Sequence, residues 1–456
     1  MTANVKERTL NQKIWLFSLP IIGELFVQQL YSLIDMTIIG RFLGAEPLAA
    51  VGNAANVIML FLVGSGGFEM AVDVMVSRLL GQGKTKERLA MARDTIALSG
   101  LIGIGLVFIA WFSLPAIYQM MAVPSSMMTD ALTYGRVYLL GLPIIYFYDV
   151  ARAVLIANER AKTSFALLTA SSALNLALNL LFIMGFKMGV AGSALATIVA
   201  QGIVMVVTLY LVYQLSKKED EAFSIKPTLT FNRVKEILAI AIPTIFQQFA
   251  ITFSSTLVQA WVNPFGKEVI LGYVSALKMM SVARIILVGF AQTLTLLAAQ
   301  GLAAEDYPMV KKVYRFCTRY SLIYVVAFSI FSIPGMRMLS ELFFDPSQNP
   351  GAYAFFKNYM YLFIGIQLVS IAKFLNEAML RSMVLMKEYL YCNVGQLILQ
   401  LILNYLMLRP VGSGSFSWAD LIARSLCALW SSWMVVDEFR KLKRKKHTVK
   451  YIGFFQ

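Results

Sequence analysis

Long apolar runs separated by charged segments are the feature that most limits what this chain can fold into. Twelve runs of about 20 residues, the length that a helix needs to cross a bilayer, alternate with clusters of lysine and arginine. Charged residues are only 14% of the 456-residue chain, against roughly 25% in soluble domains. We therefore predict an all-α integral membrane protein with twelve transmembrane helices. The predicted spans are 15–39, 50–76, 93–113, 131–154, 164–184, 190–213, 237–260, 270–295, 318–340, 357–380, 389–408 and 416–436.

The chain also contains an internal repeat. The segment that begins LPIIGELFVQQLYSLID at Leu19 keeps step with the segment that begins IPTIFQQFAITFSSTLV at Ile242, and the register returns further along. Two homologous halves of six spans predict two pseudo-symmetric six-helix bundles, an arrangement common among secondary transporters. The predicted division is an N-lobe at 1–213, a cytoplasmic linker at 214–236, a C-lobe at 237–436 and a basic cytoplasmic tail at 437–456. The pairs that mark the repeat are Pro20 with Pro243, Gly44 with Gly266, Lys162 with Lys387 and Asn179 with Asn404.

The basic residues predict the orientation in the bilayer. We assign 29 of the 40 lysines and arginines to one side of the bilayer, at the ends of the spans or in the segments that connect them, so the positive-inside rule places both termini in the cytoplasm. The net charge of +15 is thus explained by the membrane, and we expect no nucleic acid partner. The polar start MTANVKERTLNQK is unlike a secretory signal peptide, which predicts that the first helix is retained.

Other residue types exclude several kinds of chemistry. Cys317, Cys392 and Cys427 are odd in number and widely spaced, so neither a disulfide framework nor a metal cluster is indicated. His447 in the basic tail is the only histidine, which disfavours histidine-dependent catalysis. The glycines of GSGG at 64–67 are not followed by the Gly-Lys-Ser/Thr of a phosphate-binding loop. We expect neither an enzyme nor a bound cofactor.

Asp35 is the residue that most needs an explanation. A carboxylate about twenty residues into an apolar helix costs several kcal/mol unless it faces a cavity or a partner. Gln28, Tyr31 and Asp35 share one helical face, and Tyr31 is expected to be able to hydrogen-bond the carboxylate. This pattern predicts a proton or cation site. The alternative is that Asp35 lies near the outer end of the helix, where water or a helix cap satisfies it.

A second polar stripe lies in the fifth predicted span. Asn175 and Asn179 are four residues apart, and Ser171 extends the same face by a turn. Such amides can coordinate a cation or hold helices together, and hydrogen bonds between membrane helices contribute only ~0.6 to 2 kcal/mol. Both interpretations stay open on the spacing alone.

Several segments resemble one transporter family. The first-helix segment with Pro20 and Asp35, the segment VSALKMMSVARIILVGFAQTLTLLAAQGLAAEDY and the segment GVAGSALATIVAQ at 189–201 are similar in order and spacing to the multidrug and toxic compound extrusion family. The resemblance implies two six-helix lobes around a central cavity. It also implies an N-lobe site at Asp35, with an asparagine at 175 and a threonine at 197. Family members often have an aspartate at 179, so Asn179 is the loss of one carboxylate here. The chain also departs from the family at Glu69, Asp73 and Arg78.

These observations predict a set of functional residues. The ion-coupling site is predicted at Asp35, Tyr31, Asn175, Asn179 and Thr197, where a single carboxylate among neutral oxygens suits either H⁺ or Na⁺. Gln28, Lys278 and Glu377 are expected to line the substrate cavity. Pro20 and Pro243 each remove a backbone donor and predict bends in helices 1 and 7.

The second half differs from the first by carrying cations inside its spans. Lys278, Arg284, Lys373 and Arg424 lie in predicted helices, and their evident countercharges are Glu377, which could pair with Lys373, and Asp420. These cations serve either as members of internal ion pairs or as the lining of a cavity that faces an anion.

The resulting hypothesis is a secondary antiporter that exports small amphipathic or cationic organic compounds in exchange for H⁺ or Na⁺. We expect its partners to be a small-molecule substrate and the bilayer, and the functional unit to be a monomer. A lipid-linked glycan flippase or an organic-anion exporter of the same superfamily is the main alternative, because a pyrophosphate lipid requires cations. A membrane receptor or scaffold is a more distant one.

Overall fold

A computed structural model of the chain describes residues 10–121 and 125–452, with the side chains of residues 45, 49, 256, 260, 263 and 442–452 outside that description. Throughout the described ranges the regular elements are helical. The first seven helices are α1 (Leu10–Phe42), α2 (Ala45–Gly81), α3 (Thr85–Met120), α4 (Ser125–Leu140), α5 (Leu142–Ala157), α6 (Ala161–Leu180) and α7 (Gly189–Glu219). The other seven are α8 (Phe231–Val262), α9 (Lys267–Ala303), α10 (Tyr307–Ser332), α11 (Met336–Glu341), α12 (Pro350–Ser382), α13 (Met386–Val411) and α14 (Ser415–Ile452).

Each of the twelve predicted spans falls mainly on these helices. By length and composition, nine helical segments of the described chain could cross a membrane, and the bent pair α4 and α5 adds a tenth. One of the nine, Met386–Lys441, contains both α13 and α14, each of which carries one predicted span. The remaining predicted span lies on α10, whose first half is polar because it contains Lys311, Lys312, Arg315 and Arg319. The chain is thus an all-α integral membrane protein.

Two predicted spans do not coincide with one continuous helix. The span 131–154 is broken between α4 and α5, which meet at 50°, because Pro143 near the start of α5 has no backbone N–H to continue the ladder. The span 318–340 is shifted, since α10 begins at Tyr307 and ends at Ser332. Pro334 explains the end, because it disfavours helical geometry at the residue before it.

The described residues divide into two compact units. Unit 1 comprises Met1–Phe249 with Ala299–Tyr307, and unit 2 comprises Ala250–Ala298 with Pro308–Gln456. Unit 1 therefore includes the first part of α8 and the end of α9. The predicted lobe boundaries at 213/214 and 236/237 stay a prediction, and so does the role of 437–456, part of which lies outside the described residues.

The predicted linker is held to α3 in unit 1. The chain is non-helical from Asp220 to Thr230, and the buried carboxylate of Asp94 accepts hydrogen bonds from the Thr228 backbone N–H at 3.0 Å and from the Thr228 hydroxyl at 3.3 Å. Arg93 donates to the Ser224 carbonyl at 3.2 Å. These bonds satisfy backbone groups that a helix would otherwise satisfy internally.

Each unit has an apolar core of its own. In unit 1 the largest fully buried side chains include Phe17, Phe68, Tyr118 and Tyr146. In unit 2 an aromatic cluster is built around Tyr273, whose ring lies 5.9 Å from those of Tyr359 and Phe416 and 6.3 Å from that of Phe355. The buried polar groups described below are set into these cores.

Candidate functional site

Asp35 lies at the centre of a polar network between three helices of unit 1. Its Oδ1 atom accepts hydrogen bonds from the Asn179 side-chain amide of α6 at 2.8 Å and from the Ser193 hydroxyl of α7 at 3.3 Å. Asn179 is 1% exposed, so the bond to the carboxylate is made away from bulk water. A charged carboxylate in such surroundings is costly unless a proton or a cation compensates it.

The network continues from Asn179 towards the other end of the site. The same Asn179 amide donates to Asn175 Oδ1 at 2.7 Å, and the Asn175 amide donates to the Thr197 hydroxyl at 2.9 Å. Thr197 also shares a hydrogen bond of 3.1 Å with the Tyr31 hydroxyl and donates to the Ser193 carbonyl at 3.3 Å. Six side chains from α1, α6 and α7 are thus joined in one continuous chain of hydrogen bonds.

The helix geometry explains why these residues meet. Asn175 and Asn179 are one turn apart on α6, and Ser193 and Thr197 are one turn apart on α7, so each pair presents two polar groups on one face. The backbone of α6 passes into a π-helical turn at Leu181–Gly185 just after Asn179, a feature often found next to functional sites. The chain then reverses into α7, which brings Ser193 back beside Asp35.

A cavity of about 220 Å³ adjoins the network. It is smaller than the roughly 300–1,000 Å³ of pockets that hold drug-sized ligands, so it has room for an ion with water or for part of an organic molecule. Its polar side is formed by Asp35, Tyr31, Asn175 and Asn179. The rest of the lining is mainly apolar and comes from α1 and α6: Val27, Leu30, Ile34, Ile38, Ala173 and Leu176.

The structure brings together all five residues of the predicted ion-coupling site, Asp35, Tyr31, Asn175, Asn179 and Thr197. The expected contact of Tyr31 is different, because its hydroxyl bonds Thr197 rather than Asp35. The reason is geometric: side chains on a helix lean towards its N-terminus, so the long Tyr31 side chain points away from Asp35. The ion-coupling role itself stays a prediction.

Ser193 is a member of the network that the sequence reasoning missed. The sequence does indicate this residue, because Ser193 lies four residues before Thr197 and therefore on the same face of α7. Gln28 is exposed on α1 and is not among the residues that line the 220 Å³ cavity beside Asp35, so its role in a substrate cavity stays a prediction.

The donor set fits a small cation or a proton. Asn179 Oδ1 is a buried acceptor without a hydrogen-bond partner in the part of the chain that the structure describes. Together with the carboxylate of Asp35 and the hydroxyls of Ser193 and Thr197, it gives the all-oxygen surroundings that hard cations prefer. Asp35 is the carboxylate of this set, so the site can exchange a single charge.

The two prolines lie where the sequence placed them. Pro20 is buried inside α1 and Pro243 lies inside α8, and both helices are continuous through them. Their predicted role in bending stays a prediction.

The cations of unit 2 are mostly paired. The predicted pair of Lys373 and Glu377 is present at 2.7 Å, with both residues 5% exposed. Asp420 is 2.6 Å from Arg424 and 3.9 Å from Arg284, so one carboxylate serves two guanidinium groups. Lys278 is exposed on α9 and has no ion pair within the described ranges. The cavity-lining roles of Lys278 and Glu377 stay predictions.

One basic residue of the positive-inside count is buried. Arg152 is among the 29 lysines and arginines that the count assigns to the cytoplasmic side. It is buried in α5 and forms an ion pair with Glu24 of α1, and its Nη2 lies 3.7 Å from Glu69 of α2. Its charge is therefore matched within the protein.

Comparison with known proteins settles the family. The MatE family model matches the chain twice, at residues 20–181 and again at 243–406, so the two matches coincide with the two copies of the internal repeat. The chain belongs to the MatE family. This membership confirms the resemblance seen in the sequence. Solved structures of MATE transporters superpose on nearly the whole of this chain.

Individual relatives agree with this assignment. The MatE chain is 27% identical over 271 residues to the probable multidrug resistance protein YpnP of Bacillus subtilis, a match that spans 59% of this chain and 60% of that relative. It is 23% identical over 419 residues to the multidrug export protein MepA of Staphylococcus aureus, covering 91% and 90% of the two chains. A multidrug resistance MATE family transporter of the MOP superfamily, solved in an outward-facing conformation, superposes with a TM-score of 0.87 at 18% identity over 96% of this chain and 97% of that one. At that identity the superposition shows the fold alone.

Proposed function

We propose that this protein is a multidrug efflux antiporter, which exports small amphipathic or cationic organic compounds in exchange for H⁺ or Na⁺ by alternating access. The single observation that carries the proposal is the hydrogen-bond network that joins Asp35 on α1 to α6 and α7. The names of YpnP and MepA support the choice of multidrug export. Membership of a transporter family also supports transport rather than catalysis.

The proposed coupling works through the charge of Asp35. When Asp35 is ionised, it can accept the hydrogen bonds of Asn179 and Ser193, and these bonds draw α1, α6 and α7 together. A proton or Na⁺ on Asp35 changes which of these bonds are favourable. Because a ligand shifts an equilibrium between two conformations by its difference in affinity for them, loading Asp35 favours one side of the transport cycle.

The substrate class follows from the lining of the cavity. Apolar side chains from α1 and α6 suit the body of an amphipathic molecule, and the Asp35 carboxylate suits a cationic group. Since 220 Å³ is too small for a whole drug-sized ligand, the cavity holds only the part of the substrate next to Asp35. Because the ion and the substrate compete for one carboxylate, the movement of the ion across the membrane is coupled to the movement of the substrate.

The proposed location is the cell membrane. The protein is a multi-pass membrane protein, with both termini in the cytoplasm, as the positive-inside count indicates. It works as a monomer with the bilayer and a small-molecule substrate as partners, and it uses no nucleic acid and no bound cofactor.

Transport in proteoliposomes tests this function. A proton gradient and a Na⁺ gradient are imposed separately, and efflux of the cationic dye ethidium is followed in each. We expect one gradient to drive efflux in the parent protein and neither gradient to drive it in Asp35→Asn. Glu46→Gln is the matched control, because Glu46 is an exposed carboxylate at the start of α2. Equal gradient-driven efflux by Asp35→Asn and the parent would refute coupling at Asp35.

An organic-anion exporter or glycan-lipid flippase is a second candidate, favoured by one observation in unit 2. Arg284 and Arg424 share Asp420, so one positive charge of this group is uncompensated. Neutralising it with Arg284→Gln is expected to leave ethidium efflux intact if the first proposal holds. Loss of anion or lipid translocation in that variant would favour the second.

A further inference from the structure

A second group of ionisable side chains lies in unit 1, apart from the Asp35 network. Arg152 on α5 forms an ion pair with Glu24 on α1, and its Nη2 atom lies 3.7 Å from Glu69 Oε1 on α2. Asp149, one turn before Arg152, accepts a hydrogen bond of 3.0 Å from Ser65. Two carboxylates, from α1 and α2, therefore lie beside the guanidinium group, and a third, Asp149, lies one turn away on α5 within electrostatic range of it.

The arrangement is unbalanced in charge. Arg152 can compensate one carboxylate, and two negative charges are left when Glu24, Glu69 and Asp149 are all ionised. Glu24 is 3% exposed and Arg152 is 7% exposed, so water does little to screen them. An uncompensated carboxylate inside a membrane helix is costly, because the hydrocarbon core does not solvate its charge. The folded protein therefore gains if a proton neutralises one of these groups.

The contacts indicate which carboxylate takes the proton. Glu24 holds Arg152 directly, and Asp149 holds the Ser65 hydroxyl, so both have a partner that favours their charged form. Glu69 has only the longer contact with Arg152, and Asp73 lies one turn further along α2, where it adds negative charge. The Glu69 side chain is 25% exposed and the Glu24 side chain 4%, so Glu69 is the more accessible of the two glutamates beside Arg152.

A buried hydroxyl completes the group. Tyr148 is 1% exposed and is within electrostatic range of Arg152, Asp149, Glu24 and Glu69, yet its hydroxyl has no hydrogen-bond partner within residues 10–121 and 125–452. A buried hydroxyl without a hydrogen-bond partner destabilises the folded protein unless a proton donor or acceptor comes within reach of it. The same ranges contain no group of three or more acidic, histidine or cysteine side chains that could hold a metal ion, which favours a proton over a metal.

We infer that Glu24, Glu69, Tyr148, Asp149 and Arg152 form a second proton-binding site, in which Glu69 gains and loses the proton. The site shares α1 with the Asp35 network, because Glu24 precedes Asp35 by eleven residues, or about three turns of a helix with 3.6 residues per turn. A proton on Glu69 frees Arg152 to hold Glu24 alone, and loss of that proton makes Glu69 compete for the guanidinium. Proton binding at Glu69 thus changes the contacts of α1 with α2 and α5.

Infrared spectroscopy of the purified protein tests the inference without any transport. We expect the parent at about pH 7 to show a carbonyl band of a protonated carboxyl group that is lost in Glu69→Gln and kept in Asp35→Asn. Glu87→Gln is the control, since Glu87 is an exposed carboxylate beside Lys84 and its replacement should change nothing. A Glu69→Gln spectrum equal to that of the parent would overturn the inference.

A conservative variant guards against misfolding. Glu69→Asp keeps a carboxyl group, so the band should persist at a shifted position, and an unshifted band would assign the proton elsewhere. Proton uptake between about pH 5 and about pH 9 should fall by about one proton per molecule in Glu69→Gln, and equally in the Asp35→Asn background. An unchanged uptake in both backgrounds would contradict the proposed site.

The consequence for transport rests on the proposed antiport function, but proton binding does not. If the protein is proton-coupled, Glu69→Gln should lower the number of protons exchanged per ethidium molecule. If Asp35→Asn still transports while Glu69→Gln loses its infrared band, the antiport mechanism fails and the second site stands.

Discussion

Removing Arg152 is the most direct test of the buried charge group in unit 1. In Arg152→Gln, Glu24 keeps its place in the core at 3% exposure but loses its cation, and Glu69 loses the guanidinium 3.7 Å away. Breaking a buried ion pair by removing one partner costs about 3–5 kcal/mol, because an uncompensated charge stays buried. We expect a loss of stability of that size.

The expected loss of stability in Arg152→Gln corresponds to a fall in melting temperature. For a unit of 150–250 residues, each kcal/mol corresponds to about 2–4 °C, so a loss of 3–5 kcal/mol predicts a fall of roughly 6–20 °C. The assay is thermal unfolding of the purified protein in detergent at about pH 7, followed by loss of the monodisperse fraction after heating. Arg160→Gln is the matched control, since Arg160 is exposed eight residues later and should change stability by less than about 0.5 kcal/mol.

A double-mutant cycle then separates the ion pair from general damage to α5. Glu24→Gln combined with Arg152→Gln replaces the charged pair by two neutral amides. The double variant should be more stable than the sum of the single effects predicts, by about 0.5–3 kcal/mol. Strict additivity, or an Arg152→Gln protein as stable as the Arg160→Gln control, would refute the argument that Glu24 depends on Arg152.

Two further predictions concern packing and the Asp35 network. Thr197→Val keeps the shape of the side chain but removes the hydroxyl that connects α1, α6 and α7, so ethidium efflux should fall about 3- to 30-fold, equivalent to ~0.6–2 kcal/mol. Thr208→Val on the same helix loses only a bond within α7 and should transport normally. Gly81→Ala forces a methyl group against the backbone carbonyl of Gln300 and should lower stability by ~1–3 kcal/mol in thermal melts, whereas Gly66→Ala in open space should be neutral or slightly stabilising. Equal melting of the two glycine variants, or equal transport by the two threonine variants, would contradict these assignments.

The sequence alone determined the class of fold. Apolar runs of membrane-spanning length leave few alternatives, because a backbone inside a bilayer must satisfy its own hydrogen bonds as helix or closed barrel. The internal repeat was also visible, since Pro20 with Pro243 and Asn179 with Asn404 keep nearly constant spacing. The family match on residues 20–181 and 243–406 falls on the same two copies.

The sequence also located most of the Asp35 site. Polar residues four apart in an apolar helix share a face, so Asn175 with Asn179 could be recognised from spacing, and the family resemblance supplied Thr197. What spacing could not give was the partner of each group across helices. That is why Tyr31 was assigned to Asp35 rather than to Thr197, and why Ser193 was missed.

Only the tertiary structure decided how the charges are paired. Glu24, Glu69 and Arg152 lie on three helices and are separated by 45 to 128 positions in the chain, and nothing in one sequence tells which faces of α1, α2 and α5 meet. Helical periodicity fixes where a side chain lies around its own axis, whereas a contact between helices also depends on their rotation and depth, which the packing of the whole unit sets. The sequence therefore determined that this chain is a two-fold repeated membrane protein with a carboxylate at Asp35. Its folded packing determined that a second buried group of charges shares α1 with that carboxylate.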